Sequence, residues 1–282
     1  MRTSKMSLHA AVAALAAGIL ASGIGFGTAA ASSPRTSPND HQTKPTIVLV
    51  HGAWADGSSW SAVTSRLQKA GYSVDVAANP LRGVASDAQS LKDLLGTIPG
   101  PVVLVGHSYG GMVITKAATG DANVKALVYV DAFVPDEGDS VGSLAAAVPG
   151  SQLDPATSIS AVPIHDANGN VVNADLYIKP GLFGSLFAGG IAPDQAALLA
   201  AGQRPLAGSA VDETFTGVPA WRNIPSWDLI GTADKVIPAA GQELMAHRAG
   251  AHVTEVDAPH LSMVSDPDAV TDVIIRASRT TN

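Results

Sequence analysis

The chain has 282 residues, 46% of them hydrophobic and 15% charged, a balance that suits one globular domain with a sizeable core and excludes a largely disordered chain. A formal charge of −7 offers no basic surface for nucleic acid. With no Cys, the chain can form no disulfide, thiolate nucleophile or Cys-based metal site.

The first stretch places Arg2 and Lys5 ahead of an almost uncharged run of apolar and small residues that ends in Thr28-Ala-Ala-Ala-Ser32. Residues 1–31 are predicted to be a secretory signal peptide, with small-residue cleavage positions after Ala30 or Ala31. Its many Ala and Gly residues make the run only weakly hydrophobic for a membrane span. Cleavage removes two cations, takes the charge to −9 and leaves no membrane anchor, so the expected location is extracellular or within the cell envelope. Residues 32–44 (SSPRTSPNDHQTK) read as a flexible linker and residues 45–282 as the folded domain.

Thr46 to Val50, Val74 to Ala77, Val102 to Val105 and Ala126 to Val130 are short apolar runs bounded by turn residues, as expected of strands buried on both faces. Trp60 to Ala70, Ala85 to Leu95 and Gly111 to Thr119 carry helical periodicity between them. This alternation predicts a mostly parallel, doubly wound α/β sheet. It stops after Asp131. Residues 134–220, rich in Gly, Ala, Pro and Ser, show short amphipathic pieces such as Pro193 to Ala201 and no clear strand, which predicts a mostly helical inserted lobe. Alternation resumes with Ser226 to Ile230, a helix over Ala239 to Arg248, Val253 to Val256 and a last helix over Pro267 to Ala277.

Gly106-His107-Ser108-Tyr109-Gly110 fits G-x-S-x-G between a strand and a helix, the context of a nucleophile elbow. A Ser hydroxyl attacks poorly unless a base takes its proton and a carboxylate orients that base. Asp234, after one late strand, and His260, after the next, stand in the required order. Asp131, just past the Ala126 to Val130 run, is a rival acid, whereas His247 and His252 fall in mid-helix and at a strand start. Two backbone N–H groups must face the oxygen that becomes negative. Tyr109 follows the nucleophile, and Ala53 lies in the His51-Gly52-Ala53-Trp54 loop after the first strand, where His51 is expected to hold the loop by hydrogen bonds.

With these residues in place, the chain from about Pro45 to its end resembles an α/β-hydrolase. VHGAWADGSSW, GPVVLVGHSYGG, YVDAFVPDEGDS and the GTADKVIP to SMVSDP tail resemble the branch that holds plant methyl-ester esterases, hydroxynitrile lyases and bacterial esterase-like homologues. The resemblance implies Ser108 as nucleophile, His260 as base, Asp234 as acid and Ala53 and Tyr109 as oxyanion donors. The branch's lyases carry a Thr in the oxyanion loop and a Lys after the catalytic His, where this chain has Gly52-Ala53 and Leu261, which argues against cyanohydrin cleavage. The resemblance also makes residues 134–220 a cap over the site. Trp54, Phe133, Leu182, Phe183 and Phe187 are then candidate pocket residues, although the cap phenylalanines could equally pack the cap onto the core. The expected function is a secreted, cofactor-free and metal-free serine hydrolase acting on a small-molecule ester or lactone. A non-catalytic small-molecule-binding protein and a haloperoxidase-like perhydrolase are the alternatives.

Overall fold

A computed structural model describes residues 44–281. The signal peptide expected over residues 1–31, and all but the last residue of the linker expected over 32–44, lie outside the described residues.

The apolar runs form strands, as expected. Strands β1 (Thr46–Val50), β2 (Val74–Ala77), β3 (Val102–His107) and β4 (Val124–Val130) alternate with helices α1 (Ser61–Lys69), α2 (Val84–Leu95) and α3 (Gly110–Ala117). Every residue of β3 is buried, which is why the run carries no polar alternation. Past the inserted lobe come β8 (Ser226–Gly231), α9 (Ala239–Ala249), β9 (His252–Val256), the single turn α10 (Ser262–Ser265) and α11 (Pro267–Ser278). The strands form one six-stranded sheet in the order β2-β1-β3-β4-β8-β9, with every pairing parallel. The chain therefore runs from β1 out to the β2 edge and returns to the other side of β1. At that reversal the loops leaving the carboxyl ends of β1 and β3 part, and the crevice between them is where an open parallel sheet receives ligands.

The inserted lobe departs from the mostly helical expectation. It contains α4 (Val141–Ala147), α5 (Pro155–Ser158), α6 (Pro180–Leu186), α7 (Pro193–Ala201) and α8 (Ser209–Asp212), but also an antiparallel sheet of β5 (Ile159–His165), β6 (Val171–Ile178) and β7 (Leu206–Ala207), in the order β5-β6-β7. Pro163 reads as a strand breaker, yet β5 is an edge strand, where a missing N–H can face away from the ladder. The β5–β6 turn rests on Gly169, whose φ of 85° lies in the left-handed region. The Asp166 carboxylate accepts from the backbone N–H groups of Asn168 and Asn170 and closes the turn. The lobe is tied to the main sheet's flanking helices through Glu213, whose carboxylate caps α2 by accepting from Val84 and Ala85 N–H at 2.7 and 2.8 Å. Among the described residues, no helix is long and apolar enough to cross a membrane.

One buried carboxyl stands apart from this framework. Asp228, in the middle of β8, is fully buried and neither of its oxygens finds a hydrogen-bond partner among the described residues. Burial pushes its pKa well above the usual carboxylate range. Below about pH 4 the carboxyl is protonated in both the folded and the unfolded chain. As pH rises from there, the unfolded chain releases the proton while the folded chain keeps it, and stability falls. Replacing Asp228 with Leu is expected to raise stability by about 1–3 kcal/mol at neutral pH, with the gain shrinking towards pH 4. Urea unfolding of both proteins at pH 4.5 and 7.5 (values of roughly the unfolded carboxylate range and above it) checks this; an equal difference at the two pH values counts against it.

Candidate active site

The loops at the carboxyl ends of the strands assemble the site. Ser108 sits between β3 and α3 with φ of 52°, a left-handed conformation that costs a non-Gly residue of order 1–3 kcal/mol. Hydrogen bonds on both sides hold it there: its N–H donates to Val130 O at 3.2 Å, and its carbonyl accepts from Gly111 N–H at 2.9 Å and Phe133 N–H at 3.2 Å. Gly110 is needed because a Cβ there would stand 2.8 Å from Val50 O, so a side chain would push the elbow off β1. Gly52 is needed for the converse reason, since its Cβ would stand 2.7 Å from Ser108 Cβ and 2.8 Å from His107 O. The loop carrying Ala53 can thus lie directly against the Ser.

His260 and Asp234 arrive from the far side of the sheet. His260 Nε2 lies 2.9 Å from Ser108 Oγ, and His260 Nδ1 lies 2.7 Å from Asp234 Oδ2. With the proton on Nδ1 and donated to Asp234, Nε2 is left to accept from the Ser hydroxyl. The His260 and Asp234 side chains are both fully buried. Asp234 is fixed by its own loop, with Oδ1 accepting from Val236 N–H at 2.7 Å and Ile237 N–H at 3.0 Å. Its Oδ2 also accepts from the Gln242 amide at 2.8 Å. The arrangement permits proton transfer from Ser108 to His260, with Asp234 holding the imidazole.

The rival acid has a different task. Asp131 makes no hydrogen bond to His260; its Oδ1 accepts from Gly231 N–H at 2.9 Å and its Oδ2 from Ser262 N–H at 3.1 Å. One carboxyl thereby clamps the end of β8, three residues before Asp234, to the chain two residues beyond His260. Burial first, and then the charge of nearby Asp234, push Asp131 well above the usual carboxylate range, against the hydrogen bonding from Ser262 and Gly231 that pulls it down.

The remaining histidines support the loops or stand away from them. His51 donates from Nδ1 to Gly52 O at 3.0 Å and accepts at Nε2 from Asn79 N–H at 3.2 Å, holding its loop as expected. Burial pushes His107 well below its usual pKa, and its Nε2–H donates to the His260 carbonyl at 2.8 Å. It therefore braces the backbone of His260 rather than the Ser hydroxyl. His247 lies in α9 and His252 opens β9, as expected.

Ala53, Tyr109 and Ser108 share the wall of a cavity of about 510 Å³. Tyr109 is seated by its hydroxyl, which donates to the buried Asp87 at 2.8 Å. Trp54 and Phe133 line the same cavity, and the cap closes it with Val141 and Ala145 of α4, Ile159 and Ala161 of β5, and Leu176 of β6. No charged side chain lines it. Leu182, Phe183 and Phe187 do not line this cavity; of the two roles open to them, they are found packing the cap onto the core. Leu182 is partly buried against the core. Phe183 and Phe187 stack on each other at 5.0 Å between ring centroids, and Phe187 lies 5.0 Å from the His260 ring, so they pack the cap onto the base. Sequence reasoning missed Gln242, Asp87 and the α4 and β5 lining, because each acts from an element whose distance from Ser108 only the folded chain sets. Among the described residues, no cluster of His and carboxylate side chains could hold a metal ion.

Comparison with known proteins bears on the family and the fold. The chain is 42% identical over 113 residues to a carbendazim hydrolyzing esterase from Nocardioides sp. (strain SG-4G), a match covering 35% of this chain and 46% of that protein. It is 32% identical over 108 residues to putative methylesterase 19 of Arabidopsis thaliana, covering 33% of this chain and 42% of that protein. The matched stretch thus spans less than half the length of each of these relatives. The crystal structure of polyneuridine aldehyde esterase has the same fold, with a TM-score of 0.72 at 20% identity over 84% of this chain and all of that one. The family model described as the alpha/beta hydrolase family matches residues 47–273, which takes in the elbow, the late acid and base and the cap between them. That match spans most of the described residues, over the six-stranded parallel sheet and the lobe inserted in it, and the chain belongs to the alpha/beta hydrolase family.

Proposed function

We propose that the protein is a secreted serine hydrolase that cleaves a carboxylic ester or lactone of a small, largely apolar substrate through an acyl-enzyme on Ser108. The observation that carries this reading is the 2.9 Å contact of Ser108 Oγ with His260 Nε2 in a cavity of about 510 Å³ without charged lining. In the reaction, His260 takes the Ser108 proton as the oxygen attacks the ester carbonyl, and the negative oxygen is received by the N–H groups of Ala53 and Tyr109. Tyr109 stands at the N-terminus of α3, where the helix dipole favours negative charge. As the tetrahedral intermediate collapses, the ester C–O bond breaks and His260 passes its proton to the leaving alcohol. Water, deprotonated by His260, then releases the acid and returns Ser108 to its hydroxyl form. Asp234 orients the imidazole throughout and stabilises its positive form.

Two relatives named as esterases support the reaction class. Secretion rests on the Arg2 to Ser32 pattern. The test is treatment of the purified protein with a fluorophosphonate, followed by peptide mass spectrometry and turnover of p-nitrophenyl esters and lactones. An adduct on the Ser108 peptide with parallel loss of turnover is expected. Turnover that survives while another residue is modified overturns the assignment.

A further inference from the structure

A second, smaller cavity of about 250 Å³ shares Trp54 as a lining residue with the cavity at Ser108. Trp54 borders both: Ala53 and Ser108 line the larger space, while Ala55, Phe187, Leu199 and Leu261 line the smaller. Leu261 directly follows His260, so the smaller space reaches the neighbourhood of the base.

Trp54, common to both walls, is held at several points. Its backbone has φ of 59°, left-handed and costly for so bulky a residue, and its N–H donates to Arg204 O at 2.9 Å. The indole Nε1–H donates to Leu176 O on β6 at 2.8 Å, and the ring meets Phe187 edge-on at 6.0 Å between centroids. A ring held at its backbone, its nitrogen and its edge acts as a fixed partition. The smaller cavity is lined by Phe183, Phe187, Leu198, Leu199 and Leu261, together with Asp56, Ser58, Ser59 and Gln195. Asp56 is already engaged, since its carboxylate accepts from Ser58 N–H at 2.8 Å. The space therefore suits an uncharged aliphatic chain.

We propose that Trp54 is a specificity-determining wall: it ends the substrate cavity at Ser108 and shuts off a second aliphatic subsite that would otherwise accept the distal part of a long acyl chain. This rests on the ester-hydrolase reading above. Opening the wall by Trp54→Ala is expected to raise the kcat/KM ratio of p-nitrophenyl dodecanoate to p-nitrophenyl acetate by about tenfold or more, the scale on which hydrophobic pockets discriminate chain length. In the Trp54→Ala background, refilling the second cavity by Leu199→Trp is expected to return the ratio towards wild type, a reversal that general loosening of the cap would not produce. Trp54→Phe, which keeps an aromatic wall but loses the bond to Leu176, should leave the ratio within about threefold of wild type, well under the discrimination just cited. Trp54→Leu replaces Trp54→Ala if the latter does not fold.

Dodecanoate binding followed by calorimetry separates the two layers of the argument, because it needs no turnover. Tighter dodecanoate binding in Trp54→Ala, reversed by Leu199→Trp, supports the partition even if p-nitrophenyl acetate is not hydrolysed and the hydrolase reading fails. An unchanged chain-length ratio and unchanged dodecanoate affinity in a folded Trp54→Ala protein overturn it.

Discussion

Ser108→Ala is expected to lower kcat/KM for p-nitrophenyl acetate by about 10⁵- to 10⁶-fold, leaving only the contribution of the oxyanion donors and of substrate binding. The loss should appear almost wholly in kcat. Ser108 contributes one oxygen to a cavity wall that carries no charged side chain, so ground-state affinity changes little when it is removed. His260→Ala is expected to fall to a similar residual rate, and the double variant to be no slower than either single one, because the two side chains act as a unit through their 2.9 Å contact. A Ser108→Ala protein that keeps its rate shows that the chemistry does not use this hydroxyl. Since Ser108 holds a left-handed backbone that Ala tolerates no better, the variant should melt close to wild type, and circular dichroism separates lost chemistry from lost fold.

Asp234→Asn is expected to cost about 10⁴-fold in kcat, because an amide at that position favours the wrong imidazole tautomer and cannot stabilise its positive form. The amide also meets crowded donors: Val236 N–H, Ile237 N–H and the Gln242 amide all point at the Asp234 oxygens. Asp131→Asn serves as the contrast. Its amide nitrogen would face either Gly231 N–H or Ser262 N–H, so a loss of about 1–3 kcal/mol of stability is expected from one unsatisfied buried donor. Its effect on kcat should be far smaller than that of Asp234→Asn, because no Asp131 oxygen touches the imidazole. Steady-state rates and urea unfolding on both variants decide the matter. If Asp131→Asn costs the larger share of kcat, the acid has been assigned to the wrong loop.

Much of the molecule was legible before folding because its signals are local. A strand buried on both faces needs an unbroken apolar run, and residues 102–105 announce it without reference to anything else. The elbow is equally local, since a Ser forced through a left-handed turn between a strand and a helix demands small neighbours. The order of Ser108, Asp234 and His260 followed from the succession of strands in a parallel sheet, where every carboxyl end points the same way. The cap sheet was missed because residues 134–220, rich in Gly, Ala, Pro and Ser, show no clear strand, and whether a segment with a Pro such as β5 can pair at an edge is a property of the finished sheet.

What the amino-acid sequence determined by itself was the alternation of strands and helices, the elbow and the chemistry of the three residues that meet there, because backbone propensity and side-chain type act over a few residues. What only the tertiary structure decided was which acid faces the base, what holds that acid, and which aromatic residues bound the cavity. Asp131 and Asp234 both follow strands of the same sheet, and only the path of the chain beyond β8 turns one towards His260 Nδ1 and spends the other on two backbone N–H groups. Phe187 and Trp54 are both large aromatic residues in sequence, yet one packs on the His260 ring and the other borders two cavities. Burial and hydrogen-bond partners depend on distance in space, and distance in space between remote residues is set by the fold as a whole.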